Sequence, residues 1–211
     1  TAVSWYGRHD WGNIGKSPAE VLADEQQRLQ TALGKDVTVY DQGKGDLPVH
    51  PQIMTVRRVQ TERELAESKG VHYVRLASTD HLWPTPGEID AFLVFVRTLP
   101  DDAWLHFHCE AGAGRTTAYM VMYDMIKNPD VSYRDIIYRQ YEIGGTYTPH
   151  DVSRPKRGDW KGMYYHEKHE MVSLFYQYVQ DQTKQGWSQS WSQWLQNKRM
   201  RVNNVYNDND I

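Results

Sequence analysis

The chain has 211 residues, with 24 Lys and Arg against 27 Asp and Glu, for a formal net charge of −3. That balance argues against general binding to nucleic acid or a membrane surface, so any affinity for an anion must come from a local basic pocket. A mean hydropathy of −0.75 and 39% hydrophobic residues, with no apolar run near the ~20 residues that span a bilayer, describe a soluble domain with a sizeable core, and the single cysteine excludes an internal disulfide.

Residues 1–16 (TAVSWYGRHDWGNIGK) are rich in Gly and aromatics and have no clean period, which predicts an irregular entry segment. No signal peptide is visible, and Thr1 is not an initiator Met, so the start of the chain does not report a compartment. Ser17-Pro18-Ala19-Glu20 supplies an N-cap, a Pro start and an acidic N3 residue, and opens a helix to about Ala32. Asp36–Tyr40 alternates as a short strand, 41–51 reads as a loop, and Ile53–Val59 is the next strand. Thr61 caps a short helix ending at Gly70, and His72–Ala77 is a further strand. After the loop STDHLWPTP, Thr85-Pro86-Gly87-Glu88 repeats the capping device and opens a helix to Leu99. Trp104–Phe107 is a strand leading into HFHCEAGAGRTT, and Thr116–Lys127 is a Met- and aromatic-rich helix packed as core. Asn128-Pro129 breaks it. Ser132 caps a second helix, which Gly144-Gly145 stops. Residues 146–159 form a loop carrying Arg154, Lys156 and Arg157, a long helix runs from Trp160 to about Gln182, and 187–195 is a last short helix. Strands alternating with helices predict an α/β fold with a mostly parallel sheet flanked by helices. One domain spans 1–196, followed by a polar tail at 197–211.

The stretch from His106 to Thr117 carries the chemistry. A strand, a Gly-containing loop and a helix make an anion cradle, because successive backbone N–H groups converge and the helix N-terminus adds positive potential. Cys109 at the start of that cradle should be a low-pKa nucleophile, and Arg115, six positions on, can clamp two phosphate oxygens with its planar fork. Glu110, Ala111, Gly112, Ala113 and Gly114 form the loop between them, as candidate substrate contacts. Thr116 can donate its hydroxyl to the sulfur, or be a plain helix-start Thr. His108 fits a role in shaping the loop and its electrostatics, and His106 reads as a core histidine. A cysteinyl-phosphate reaction needs a general acid. Asp80, 29 residues before Cys109, is the candidate on a loop stiffened by Trp83, Pro84 and Pro86; the alternative is a turn-capping Asp. His81 is a weaker acid candidate. No His/Cys/Asp cluster has metal-ligand spacing, and neither a metal nor another cofactor is expected.

HCEAGAGRTT together with TDHLWP upstream resembles the protein-tyrosine-phosphatase superfamily, and within it the chain resembles the bacterial cysteine phytases. AVSWYG, RRVQTE, YVRLASTDHLWPTP, DAWLHFHCEAGAGRTTAYMVMYDMIKNP, YRQYEIGG and WKGMYYHEKHE carry the likeness. It implies a phosphatase acting on myo-inositol hexakisphosphate, with Cys109 as nucleophile, Arg115 as clamp and Asp80 as acid. His81 joins the substrate contacts, and Lys161, Tyr165 and Lys168 match positions that hold phosphates away from the scissile one. Their i, i+4, i+7 spacing puts these three on one helical face. The resemblance also implies a secreted or periplasmic protein. The family's acidic strand segment upstream of AVSWYG, and much of a small β-barrel annex, have no counterpart in these residues, so an upstream segment of the same domain is a candidate partner beside the polyphosphorylated small molecule. Two other readings stand beside this one. One is a protein-tyrosine, dual-specificity or phosphoinositide phosphatase; the other is an inactive phosphate-binding module.

Overall fold

The computed structural model describes residues 16–44, 48–146 and 162–198. The chain divides into two compact units, Thr1–Asp80 and His81–Ile211. The entry segment before Lys16, the basic loop with Arg154, Lys156 and Arg157, Lys161, and the tail beyond Lys198 lie outside the described residues.

In the first unit, α1 (Pro18–Ala32) starts at the expected capping box. The Glu20 carboxylate accepts the Ser17 N–H at 2.7 Å, and Ser17 Oγ accepts the Glu20 N–H at 3.4 Å. Next come β1 (Asp36–Gln42) and β2 (Pro48–Thr55), paired antiparallel from Asp36↔Thr55 to Gln42↔Pro48, with an irregularity between Val39 and Asp41. β2 therefore lies upstream of the expected 53–59 strand and takes in part of the expected loop. Pairing with β1 sets its limits, and Pro48 and Pro51 are tolerated because a two-stranded ladder leaves each strand an unpaired edge. α2 (Glu62–Glu67) has a second reciprocal cap between Thr61 and Glu64. Ala32 is the one buried apolar residue described in this unit, while Ile53 is 77% exposed.

The second unit holds the core. α3 (Pro86–Thr98) opens on the third capping box: Glu88 accepts the Thr85 N–H at 2.8 Å, and Ile89, Phe92 and Val96 are buried along one stripe. Further on lie α4 (Gly114–Lys127), α5 (Tyr133–Glu142), α6 (Gly162–Gln185) and α7 (Trp191–Asn197). The Met-rich helix is core as expected, with Met122 and Met125 fully buried. α7 starts four residues later than the sequence suggests. The chain first turns through Gly186 and Trp187, both at positive φ, and Ser190 then caps it. Trp191 and Trp194 stack at 5.6 Å, and Tyr178 of α6 lies edge-on to both. Two of the polar atoms among these rings are satisfied locally: Tyr178 donates to the Gln189 carbonyl at 2.9 Å, and Trp194 Nε1 donates to Asp181 at 2.9 Å. α4 and α5 are joined through Asp124, which accepts from Arg139, from Gln140 at 2.8 Å and from Asn128 at 2.8 Å.

Among the described residues the only ladder is the β1–β2 hairpin. The expected strands His72–Ala77 and Trp104–Phe107 carry none. Residues 103–109 nevertheless keep a period-two pattern, alternately half-buried and exposed. A strand also needs a neighbour's hydrogen bonds. His106 lies on the exposed side, so it is not a core histidine.

Candidate functional site

Cys109 closes the alternating segment, and residues 110–113 bend into α4. The helix begins at Gly114, two residues earlier than the sequence suggests, so Arg115 sits in its first turn. Gly112 has φ +68, the left-handed region that a side chain would strain, and it reverses the loop into the helix. Glu110, Ala111, Gly112 and Ala113 are exposed, while Gly114 and Arg115 are half-buried. This N-terminus has no side-chain cap, and its first-turn N–H groups are donors of the kind an anion uses.

The thiol environment follows from that geometry. Burial pushes the Cys109 pKa up. Against it work the hydroxyl and backbone N–H of Thr116, the Arg115 charge and the Ala113 N–H, and together they hold the thiol below its ordinary value. Cys109 is half-buried, leaving the sulfur reachable. His108 Nδ1 lies 3.3 Å from the Cys109 carbonyl oxygen, and its ring stacks on His106 at 5.6 Å.

α6 supplies the second wall. Tyr165 and Lys168, one turn apart, line a small recess with Trp83, Gly114, Thr117, Ala118 and Thr146. Lys168 Nζ is 5.9 Å from the Tyr165 ring centroid. These two candidate residues are thus brought to the loop. Asp80 ends the first unit, half-buried in a turn. His81 opens the second with φ +65, uncommon for a residue with a Cβ, and its ring stacks on Tyr164 at 6.4 Å. Trp83, 1% exposed, anchors the stretch that follows.

Two features escape sequence reasoning. Glu167 is buried at 9% exposure beside Lys168. Burial pushes its carboxyl up to about 7, with Lys168 and the Trp83 backbone amide pulling it down and Glu170 pushing it up. Thr117 and Thr146 meet behind the loop, where the Thr146 N–H donates to Thr117 Oγ1 at 2.9 Å. Nothing in the sequence distinguishes Glu167 from a solvated helix acid. Among the described residues no group of three His, Cys, Asp or Glu could hold a metal ion, and no helix is long and apolar enough to cross a membrane.

The family model PTPlike_phytase, described as inositol hexakisphosphate, matches residues 1–127. A PTP-like myo-inositol phosphatase from Mitsuokella multacida, solved in complex with myo-inositol-(1,3,4,5)-tetrakisphosphate, is 53% identical with a TM-score of 0.83, over 88% of this chain and 32% of that one. A PTP-like phytase from Bdellovibrio bacteriovorus is 34% identical with a TM-score of 0.65, over 85% of this chain and 64% of that one. The effector protein hopD2 of Pseudomonas syringae pv. tomato is 29% identical over 91% of this chain and 42% of its own length. The chain therefore spans about a third of the Mitsuokella structure and under half of the effector, and its α/β fold is that of the PTP-like phytases.

Proposed function

The chain belongs to the PTP-like phytase family, and on that premise we propose that it removes phosphate from myo-inositol hexakisphosphate through a cysteinyl-phosphate intermediate. The observation that carries this reading is the half-buried Cys109 at the mouth of α4, with Thr116, Arg115 and Ala113 turned on its sulfur. A thiolate there attacks phosphorus in line. Arg115 and the N–H groups of the loop from Glu110 to Gly114 hold the non-bridging oxygens, where charge develops. Asp80 gives its proton to the leaving inositol oxygen. In the second step Asp80, now a carboxylate, takes a proton from the attacking water. The sulfur–phosphorus bond breaks, inorganic phosphate leaves, and the Thr116 hydroxyl stabilises the departing thiolate. Both steps balance without redox change.

Lys168 and Tyr165, standing at the loop, supply the secondary contacts a crowded polyanion needs; His81 and Lys161 complete the assigned set. The inositol tetrakisphosphate held by the Mitsuokella phosphatase supports this substrate class. The competing reading is a protein-tyrosine, dual-specificity or phosphoinositide phosphatase. Steady-state turnover of inositol hexakisphosphate and of a phosphotyrosine peptide, measured side by side, separates the two. Faster turnover of the peptide would sink the phytase assignment.

A further inference from the structure

The phosphate loop is fastened from behind by a contact that none of the roles above includes. The Ala113 carbonyl accepts twice from Thr117, from its N–H at 2.9 Å and from its Oγ1–H at 2.7 Å. The same Oγ1 accepts the Thr146 N–H at 2.9 Å. Thr117 is 2% exposed, so these bonds exclude water. Thr146 is brought there by a tight turn after α5. Gly145 N–H donates to the Gln140 carbonyl at 3.0 Å, and a Cβ at Gly145 would lie 2.5 Å from that oxygen and 3.2 Å from Thr117 Cγ2. Only glycine lets the turn close this far. α5 is itself held to α4 through Asp124, seven residues beyond Thr117 on the same helix.

We propose that Thr117 is a positioning residue for the phosphate loop, its hydroxyl coupling the Gly144–Thr146 turn to the Ala113 peptide. A trans peptide is planar, so fixing the Ala113 carbonyl toward Thr117 aims the Gly114 N–H the opposite way, out of the helix N-terminus and toward the cradle. Holding Ala113 also holds its own N–H, which faces the Cys109 sulfur. Thr117 does not touch the sulfur. It acts through Ala113, and the turn after α5 becomes part of the loop's support.

The inference rests on the reading of 106–117 as a phosphate loop, and its test does not require turnover. Cys109 is the sole cysteine, so the pH dependence of its alkylation by iodoacetamide reports one thiol. The charge facing that thiol is Arg115, His108 is its chain neighbour, and Lys168 stands across from Gly114; none of them is altered. In the full chain, Thr117→Val keeps the shape and removes the hydroxyl. The expected result is a rise of roughly half a pH unit or more in the thiol pKa, the equivalent of one hydrogen bond. Thr117→Ser keeps the hydroxyl and should leave the value where it was. No rise in the valine variant, or an equal rise in both, overturns the proposal. Should Thr117→Val fail to fold, Gly145→Ala carries the same readout by pushing the Thr146 N–H off the hydroxyl: a rise supports the coupling and an unchanged value overturns it. The parent thiol's own pKa tests the nucleophile assignment, whereas the difference between variants tests Thr117.

Discussion

Lys168 of α6 stands directly against Gly114 of the phosphate loop: a Cβ added at Gly114 would lie 3.4 Å from the lysine Nζ. A fixed cation is therefore held beside the anion cradle by a different element from the one that supplies Arg115. Two clamps of different origin suit a substrate with more than one phosphate.

Lys168→Met should therefore act on the additional phosphates. Losing one charge-assisted contact costs about 1–2 kcal/mol, so KM for inositol hexakisphosphate should rise roughly tenfold. Turnover of a small aryl monophosphate should change little. Equal losses on both substrates would place Lys168 in the reaction itself or in the folding of the loop.

Asp80→Asn separates leaving groups. General acid catalysis contributes about 10²–10⁴-fold when the leaving oxygen needs a proton. Single-turnover rates on inositol phosphates should fall by that order, and phosphoryl transfer from an aryl phosphate with an acidic phenol much less. Matching losses would argue that Asp80 caps a turn and nothing more.

The site's chemistry was more legible than its scaffold. The cradle could be read because it is local: Cys109, Gly112 and Arg115 lie within seven residues, although the helix starts at Gly114, two residues before the expected Thr116. The capping boxes at Ser17, Thr61 and Thr85 were legible for the same reason, since each closes within three residues. Pairing was not. The apolar run at Trp104–Phe107 predicts a strand, but ladder bonds depend on a distant neighbour. The burial of Glu167 and the meeting of Thr117 with Thr146 depend on how α4, α5 and α6 pack, which no local pattern encodes.

Glu167 gives a pH signature. Its carboxyl is raised from 4.5 to about 7, chiefly by burial. The folded chain thus binds this proton more tightly than the unfolded chain. The stability it brings is fully present below the unfolded pKa and is lost as pH rises through the folded value. Glu167→Gln removes that loss. Thermal melts should show the variant level with the parent near about pH 4 and more stable by on the order of 3 kcal/mol above about pH 7. A difference that stays flat across this range would contradict the assignment.

Trp191→Ala tests the core behind the site. Trp191 is fully buried among Phe175, Tyr178 and Trp194. The cavity should cost about 3–5 kcal/mol in urea unfolding of the full chain. A loss under about 1 kcal/mol would mean that the α6–α7 packing contributes little to stability.

The central claim is a covalent phosphate on Cys109. Its most direct test is rapid acid quenching of the Asp80→Asn chain during turnover of an aryl phosphate, followed by mass spectrometry of the peptide containing Cys109. The leaving phenol needs no acid, while the second step lacks its base, so the intermediate should accumulate. One phosphoryl group on Cys109, absent from the Cys109→Ser chain, is the predicted result. Continued phosphate release with Cys109 unmodified at every quench time, or release that survives Cys109→Ser, would contradict it.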